Sequence, residues 1–281
     1  MVRDEADMLP RWLAYYGDQV GPDNLVVLDD GTVDGSTDDL PCTVFRIPPA
    51  PWKRDWAKTR VALANGFAQT LLAVYDAVVF TDVDEFLVPD PARYDGLRDY
   101  LGRSPHRDVV APLAVNVLNA AGVEEPLDPH RPVLEQRRFV KVAPGMCKPL
   151  IKRVPVAWLE GFHGVTGDRF DIDPDLLMVH LKYYDEAVLR DVAEKRRRVH
   201  ESEGRGGVAS AWSVEAEELV ELLRSWVADA GSAVPVLEPR QVDVSDFVAA
   251  VPRGFRARGR QLVAMQRRPL RRLPERYAAA L

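Results

Sequence analysis

The chain has few cysteines and no long apolar run, and these absences exclude several classes of protein. Its 281 residues include only Cys42 and Cys147, too few for a disulfide framework or a cysteine-based zinc site. No run approaches the roughly 18 uninterrupted apolar residues of a membrane-spanning helix, and the amino-terminal residues lack the pattern of a signal peptide. We therefore expect a protein of the reducing cytoplasm.

Basic residues are concentrated at the carboxyl end, in contrast to an acidic remainder. Residues 252–281 contain nine Arg and one Glu, a charge of +8, which leaves −14 for the rest of a chain whose net charge is −6. Such a tail favours one of two interpretations: peripheral contact with an anionic membrane at its inner face, or a helical tail folded back on the acidic body. No motif of a nucleic-acid reader accompanies it, so we expect no nucleic-acid partner.

Strand-like and helix-like segments alternate along the chain. Alternation of this kind predicts an α/β fold with a mostly parallel sheet and helices on both faces. We expect one catalytic domain over residues 1–185 and a helical extension over 186–281 that carries the Arg-rich tail. The main predicted strands are 24–28, 43–47 and 78–81, and the main predicted helices are 5–16, 55–75, 188–201 and 214–229.

Acidic side chains follow two of the predicted strands. Asp82, Asp84 and Glu85 come directly after the third strand, and Asp29 and Asp30 come after the first. Crowded carboxylates repel one another unless a cation or a proton lies between them. Hard oxygen ligands on a short turn suit Mg²⁺ or Mn²⁺, which in turn bind phosphate oxygens. The two acidic turns together favour a nucleotide-phosphate site at one edge of the sheet.

The ordered set of motifs resembles family 2-type glycosyltransferases over roughly residues 1–200. The closest resemblance is to the subgroup that carries an Asp-x-Asp-Glu-Phe element and a later His-x-Lys-Tyr element. It implies a GT-A fold, a nucleotide-sugar donor that we expect to be UDP-linked, a divalent cation, and inversion at the anomeric carbon. The matching segments are Val2-Arg3-Asp4-Glu5, Val27-Leu28-Asp29-Asp30-Gly31-Thr32-Val33-Asp34-Gly35, Phe80-Thr81-Asp82-Val83-Asp84-Glu85-Phe86-Leu87 and His180-Leu181-Lys182-Tyr183.

The resemblance implies a role for each matching position in donor binding. Asp4 and Glu5 would lie beside the base, and Asp29 or Asp30 would contact the uracil or the ribose. Two basic residues of the helix before the acidic motif would add cationic donors, which suit phosphate oxygens. The residues expected to bind the donor are Asp4, Glu5, Asp29, Asp30, Lys58, Arg60, Asp82, His163 and Lys182.

The expected metal ligands are Asp82, Asp84 and His180, with Mn²⁺ or Mg²⁺ as the ion. His180 follows an apolar segment, and a neutral imidazole there would complete the metal shell or contact the diphosphate. His163 is the competing histidine. It lies in a Gly-rich loop with aromatic neighbours, which is typical of the lining of a sugar pocket.

Inverting transfer needs a carboxylate base that takes the proton of the acceptor hydroxyl. Three carboxylates lie in the appropriate part of the chain, between the metal motif and the later histidine. We choose Asp168, with Glu160 and Asp171 as alternatives. The acceptor itself is not indicated beyond its hydroxyl group.

Two other functions compete, and one departure from the family pattern matters. A haloacid-dehalogenase-like phosphatase would use Asp82 as nucleophile and Asp84 as acid, but the Gly-Thr expected after that motif is Glu85-Phe86 here. A non-catalytic module that only binds sugar nucleotides is the other alternative, while a P-loop enzyme is excluded by the missing motif. In the family, a central strand of about six residues precedes the Arg-Asp-Glu element. Only Met1 and Val2 precede it here, so we expect the natural start to lie upstream.

Overall fold

We describe the protein from a computed structural model, which covers residues 1–47, 56–104, 107–167, 170–204, 213–245, 247 and 265–281. The helices are α1 (Met8–Val20), α2 (Trp56–Leu71), α3 (Leu97–Arg103), α4 (Val133–Gln136), α5 (Glu186–Glu203) and α6 (Ala216–Trp226). The strands are β1 (Val26–Asp29), β2 (Thr43–Arg46), β3 (Val78–Val79), β4 (Glu85–Pro89), β5 (Val109–Leu118), β6 (Phe139–Val142), β7 (Ile151–Lys152), β8 (Asp171–Tyr183) and β9 (Arg271–Arg272).

The α/β class is confirmed, but the prediction of a mostly parallel sheet is wrong. Seven strands form the main sheet, in which only the β5–β8 pair is parallel and every other pair is antiparallel. Strand β5 lies at the centre, with β8 along one edge and both β7 and β6 along the other. Helices α3 and α4 separate β4, β5 and β6 along the chain, but most pairs in the sheet are antiparallel and so need no crossover helix between them.

A second, smaller sheet holds the amino-terminal strands. Strands β1 and β2 pair in parallel, from Val26 opposite Thr43 to Asp29 opposite Arg46. On the other edge of β1, Val2 forms a single parallel bridge with Asp29. The two acidic turns expected at one sheet edge therefore belong to two separate sheets.

The core lies between the main sheet and the helices on it. Every residue of β5 is buried, and most of β8 is buried too, because both strands are covered on two faces and read as apolar runs. Helix α1 is fixed to β4 by the Tyr16 hydroxyl, which donates to the carbonyl of Glu85 and accepts from the amide of Leu87. This contact holds the segment after the acidic motif against the body of the domain.

The helices predicted after the domain are confirmed, whereas the tail differs from the expected helix. Asp185 caps α5 by accepting hydrogen bonds from the amides of Ala187 and Val188. Further on, β9 adds a strand to the main sheet beside β6, and a 3-10 helix follows. The guanidinium of Arg276 binds both carboxylate oxygens of Asp90, at 2.8 and 3.1 Å. In this part of the tail, the interpretation that it folds back on acidic groups therefore holds.

Membrane contact by the tail stays a prediction, because the arginines at 253, 256, 258 and 260 lie outside the described residues. Within the described ranges, no helix has both the length and the apolar character needed to cross a membrane.

Helix α1 begins three residues later than its apolar spacing predicts, at Met8 rather than Glu5. Asp4, which directly precedes the predicted start, has a left-handed backbone with φ of 54°. Its carboxylate instead accepts hydrogen bonds from the amides of Val33 and Asp34, 29 and 30 residues away. A contact across two segments, invisible to local spacing, thus moves the start of the helix.

Candidate functional site

The acidic motif forms a tight turn between β3 and β4. The amide of Glu85 donates to the carbonyl of Asp82 at 3.1 Å, which closes the turn. Glu85 then begins β4 and lies opposite His180 of β8, while the amide of Leu181 donates to the carbonyl of Asp84 at 2.9 Å. The antiparallel β4–β8 pair therefore brings Asp84 and His180 together although 96 positions separate them.

Asp84, His180 and Asn116 form a chain of buried polar contacts. The Oδ2 of Asp84 lies 3.3 Å from Nε2 of His180, and Nδ1 of the ring lies 2.6 Å from Oδ1 of Asn116. An amide oxygen only accepts hydrogen bonds, so Nδ1 carries a proton. In neutral His180 the Nε2 lone pair then faces the carboxylate, and only a proton or a metal cation between them satisfies both acceptors.

The carboxylate of Asp84 is held ionised. Burial alone would raise its pKa, but the neighbouring His180 ring and the guanidinium of Arg196 outweigh burial and hold the pKa well below its usual range. Arg196 reaches this carboxylate from α5, with an N–O distance of 3.9 Å. The ionised carboxylate therefore faces either the Nε2 proton of a charged ring or, when the ring is neutral, its Nε2 lone pair.

The other aspartate of the motif lies among basic groups. Asp82 accepts a hydrogen bond from Arg60 of α2, and Nζ of Lys148 lies 3.3 Å from its Oδ2. These two cations lower the pKa of Asp82 against the opposing effect of burial. Lys148 also lies 2.5 Å from Oε1 of the buried Glu85. Asp82 and Glu85 are thus each paired with a basic side chain.

The expected three-ligand metal site is therefore only partly assembled. Asp84 and His180 face each other, whereas Asp82 is turned toward Arg60 and Lys148. Across the described ranges, no group of three or more His, Cys, Asp or Glu is arranged to hold a metal ion. Binding of Mn²⁺ or Mg²⁺ by Asp84 and His180 therefore stays a prediction.

Two donor-binding candidates line a small cavity beside Asp84. The cavity is about 20 Å³ in volume, and Glu5, Asp84, Lys182 and Arg196 are among its lining residues. Burial and the nearby Asp84 charge raise the pKa of Glu5 to about 7. Lys182 lies two positions after His180 in β8, on the same face of the strand. Glu5 and Lys182 therefore lie in the same region as the Asp84–His180 pair.

Other donor-binding candidates build the loop that follows β1. Asp29 accepts hydrogen bonds from the amide of Thr32 at 2.9 Å and from the hydroxyl of Thr37 at 3.1 Å, and Asp4 binds the same loop as described above. Asp30 is buried, and its amide donates to the carbonyl of Val2. Asp4 and Asp29 thus shape the loop through hydrogen bonds, and their contact with a nucleotide stays a prediction.

Lys58 and Arg60, the two donor-binding candidates of α2, lie on different sides of the helix. Arg60 points to Asp82, whereas Lys58 is exposed and lies two positions earlier, about 200° around the helix. The guanidinium of Arg60 also lies 5.0 Å from the centre of the Phe162 ring. Phe162 stacks on Phe80, with 4.4 Å between ring centroids. This places the loop containing His163 next to the acidic motif.

The backbone of that loop needs glycine at position 161. Gly161 has φ of 79°, and a Cβ there would lie 2.9 Å from Cδ2 of His163. Phe162, which is not glycine, also has a positive φ of 63°. The sharp bend directly precedes the half-buried His163, whose role in lining a sugar pocket stays a prediction.

The structure bears on which carboxylate could take the proton of the acceptor hydroxyl. Asp168 lies outside the described residues. Asp171 begins β8 opposite Val110 of β5, and His180 lies opposite Asn116, so the two residues are roughly 20 Å apart along the sheet. This separation disfavours Asp171, and the choice of base stays a prediction. Glu160 begins the 3-10 turn Glu160–Phe162, whose last residue, Phe162, contacts Phe80 and Arg60.

Three residues of the site were not predicted from sequence. Asn116 is the one polar side chain within the apolar run of β5, and that isolation is a usable signal. Lys148 is a lone lysine in a mostly apolar segment, which also indicates a buried partner. Arg196 lies in a run of three arginines, and nothing local separates it from its neighbours.

A comparison with protein-family models and one with curated protein sequences each find no match.

Proposed function

We propose that this protein is a glycosyltransferase that moves a hexosyl unit from a nucleotide sugar, UDP-linked in our expectation, to a hydroxyl acceptor. The observation that carries the proposal is the Asp84–His180 pair, two acceptors that face each other within reach of Arg196. Such a pair has a chemical use when a divalent cation and a phosphate group are present. The sequence resemblance indicates which substrate class supplies that phosphate.

The basic residues around the pair support a diphosphate leaving group. Arg60, Lys148 and Arg196 all lie at the acidic motif, where they oppose the charge of Asp82, Asp84 and Glu85. Arg60 is the best placed to turn from Asp82 to a donor phosphate, because its side chain is 27% exposed, compared with 7% for Lys148. A planar guanidinium binds phosphate oxygens in two-point contacts.

Asp84 and His180 would hold Mg²⁺ or Mn²⁺. The ion supplies positive charge that offsets the charge developing on the leaving diphosphate. Asn116 fixes the ring so that Nε2, and not Nδ1, faces Asp84. Lys148 binds both Asp82 and Glu85 and thereby keeps the turn rigid. In this scheme Glu160 takes the proton of the acceptor hydroxyl, unless Asp168 does so.

We propose a GT-A-like division of labour between the two sheets. The loop after β1, shaped by Asp4 and Asp29, forms the nucleotide side, and β4, β8 and the loop with His163 form the sugar and acceptor side. The acidic motif lies where the two sides meet. This arrangement explains why residues from such distant parts of the chain surround one turn.

The phosphatase alternative has weaker support. It needs a free nucleophilic carboxylate at Asp82 and a protonated acid at Asp84. Asp82 is instead paired with Arg60 and Lys148, and the lowered pKa of Asp84 keeps that group ionised at neutral pH. A binding module without turnover would have the same ligand site, so a turnover measurement separates it from the enzyme.

The test combines ligand-dependent stability with turnover. Because a ligand that binds only the folded state raises the melting temperature, Mn²⁺ with UDP should stabilise the protein, and a chelator should remove the effect. A panel of nucleotide sugars is then assayed for slow hydrolysis in the presence of Mn²⁺. No thermal response to any nucleotide with either Mn²⁺ or Mg²⁺ would refute the donor site. A thermal response without turnover on any donor or acceptor would instead favour the binding module.

A further inference from the structure

Asn116 connects the ring of His180 to a side chain of the Arg-rich tail. Its Oδ1 lies 2.6 Å from Nδ1 of His180, and its Nδ2 donates a hydrogen bond to Sδ of Met265. All three side chains are buried, because Asn116 is 3% exposed, Met265 4% and His180 7%. Met265 lies 149 positions after Asn116 in the chain. The tail therefore places one of its own side chains directly behind the partner of the histidine.

The described part of the tail is docked on the domain at several points. Strand β9 pairs with β6 in the main sheet. The carbonyl of Leu273 accepts a hydrogen bond from the guanidinium of Arg138 at 2.6 Å, and Arg276 binds Asp90 as described above. Because these contacts hold the tail against the sheet, Met265 makes its contact from a fixed segment.

The side-chain amide of Asn116 has two possible orientations toward a neutral His180 ring. In the observed one, the amide oxygen accepts the proton of Nδ1, and Nε2 turns its lone pair to the carboxylate of Asp84. In the reversed one, the NH2 group would donate to Nδ1, and a proton on Nε2 would be donated to Asp84. The ring and the carboxylate alone favour the reversed orientation, because each donor there meets an acceptor.

The thioether of Met265 opposes this reversal. Its sulfur accepts hydrogen bonds and has no proton to donate. A reversed amide would turn its oxygen to the sulfur, so that two buried acceptors would face each other with no proton between them. The cost of such an unpaired buried group typically changes a population ratio by about tenfold or more.

We propose that Met265 is a positioning residue that keeps the amide oxygen of Asn116 toward Nδ1 of His180, so that Nε2 of the neutral ring faces Asp84 without a proton. Through this sulfur, docking of the tail sets the proton position at the acidic motif. The use of that nitrogen as a metal ligand rests on the proposed function, since a ligating imidazole nitrogen carries no proton. The orientation of the amide depends on hydrogen bonding alone and is measurable with no metal or donor present.

The experiment determines which ring nitrogen carries the proton, by nitrogen-15 NMR of the full chain with labelled histidine and no added metal. The signals of His180 are identified by their loss in His180→Gln. On the neutral ring we expect the proton on Nδ1 in the unaltered chain. In Met265→Leu, which keeps a similar volume but has no sulfur, the ratio of the two forms should shift toward Nε2 by about tenfold or more.

The matched control is Met178→Leu. Met178 is a buried methionine of the same strand as His180, but it lies opposite Ala114 in β5, whereas His180 lies opposite Asn116. Its replacement should leave the proton on Nδ1.

A second background separates the orientation of the amide from packing. In Asn116→Asp both side-chain oxygens accept hydrogen bonds, so the group has no orientation to choose. Adding Met265→Leu to Asn116→Asp should therefore leave the proton on Nδ1. Damage to packing would instead shift the proton in both backgrounds.

Three results would overturn the proposal: a proton on Nε2 in the unaltered chain, an unchanged ring in Met265→Leu, or a shift in Met265→Leu that Met178→Leu or the Asn116→Asp background reproduces. A titration of the melting temperature with Mn²⁺ at fixed UDP then tests the consequence for the metal, and we expect an affinity about tenfold weaker in Met265→Leu. If the unaltered chain does not respond to Mn²⁺ while the ring behaves as expected, the proposed function fails and the role of Met265 stands.

Discussion

The Nζ of Lys148 lies 2.5 Å from Oε1 of Glu85, and the two side chains are 7% and 1% exposed. Burial alone would lower the pKa of Lys148, but Glu85 and Asp82 outweigh burial and raise it. A charge pair this deeply buried is costly to make and more costly to break. It stabilises the turn of the acidic motif at the end where β4 begins.

Breaking this pair should destabilise the fold strongly. In Lys148→Met, Glu85 keeps a buried charge without its cation, and we expect the free energy of unfolding to fall by about 3–5 kcal/mol in urea titrations. The double variant Lys148→Met with Glu85→Leu should recover most of the loss, since both charges are gone and Arg60 still pairs with Asp82. A loss below about 1 kcal/mol in the single variant would show that the pair is not buried as described.

Asp84 should be essential for the effect of the metal ion. In Asp84→Asn one charged ligand is lost, so stabilisation by Mn²⁺ with UDP should disappear and donor turnover should fall about 100-fold or more. The matched control is Asp23→Asn, because Asp23 is exposed in the 3-10 segment Pro22–Asn24, away from the acidic motif. If Asp84→Asn and the control respond equally to Mn²⁺, Asp84 is not a ligand.

Asn116 should act by positioning the ring of His180. Asn116→Leu removes the acceptor of the Nδ1 proton, and loss of such a partner typically weakens metal affinity 10- to 100-fold. Asn116→Asp keeps an acceptor at this position and should restore most of the affinity. The measurement is a Mn²⁺ titration of the melting temperature at fixed UDP. Equal affinity in the Leu and Asp variants would contradict a role for the hydrogen bond at 2.6 Å.

Glu5 should make stability depend on pH when a chelator is present. Its pKa rises from about 4.5 to about 7 on folding, mainly through burial, so the folded state binds the extra proton between these values. The contribution of protonated Glu5 to the free energy of unfolding is complete below pH 4.5 and is lost as the pH rises through 7. The change in this free energy is on the order of 3 kcal/mol. Unfolding titrations of Glu5→Gln across this range should show a flatter profile. An unchanged slope would mean that Glu5 is solvated.

Much of the fold follows from local patterns. The spacing of apolar residues predicts α5 and α6 to within three residues at each end, and an apolar run predicts β1. In contrast, which strands pair is decided by contacts far apart in sequence. Strand β4 follows the acidic motif at once and pairs with β8 more than 80 residues later, and nothing in its own sequence indicates an antiparallel partner.

The site was predictable to a similar extent. Residue type and spacing indicate Asp84 and His180 as candidates, because each follows an apolar segment, whereas Glu5 is indicated only by the resemblance to glycosyltransferases. The pairing of Asp82 with Arg60 and Lys148 is not visible, since it depends on how α2 and the segment before β7 pack on the turn. The separation of Asp171 from His180 likewise follows from the pairing of β8 with β5, which the sequence of β8 alone does not indicate.

The pairing of β6 with β9 has a consequence for synthesis of the chain. Val140 lies opposite Arg271, so β6 leaves the ribosome 131 residues before its partner. At about 5–20 residues per second, that edge stays open for roughly 7 to 26 seconds. An open apolar edge is a template for pairing with other chains, and charged residues on it reduce the hazard. Lys141, within β6, and Arg138, just before it, carry such charges through the interval in which a nascent chain is most exposed to aggregation.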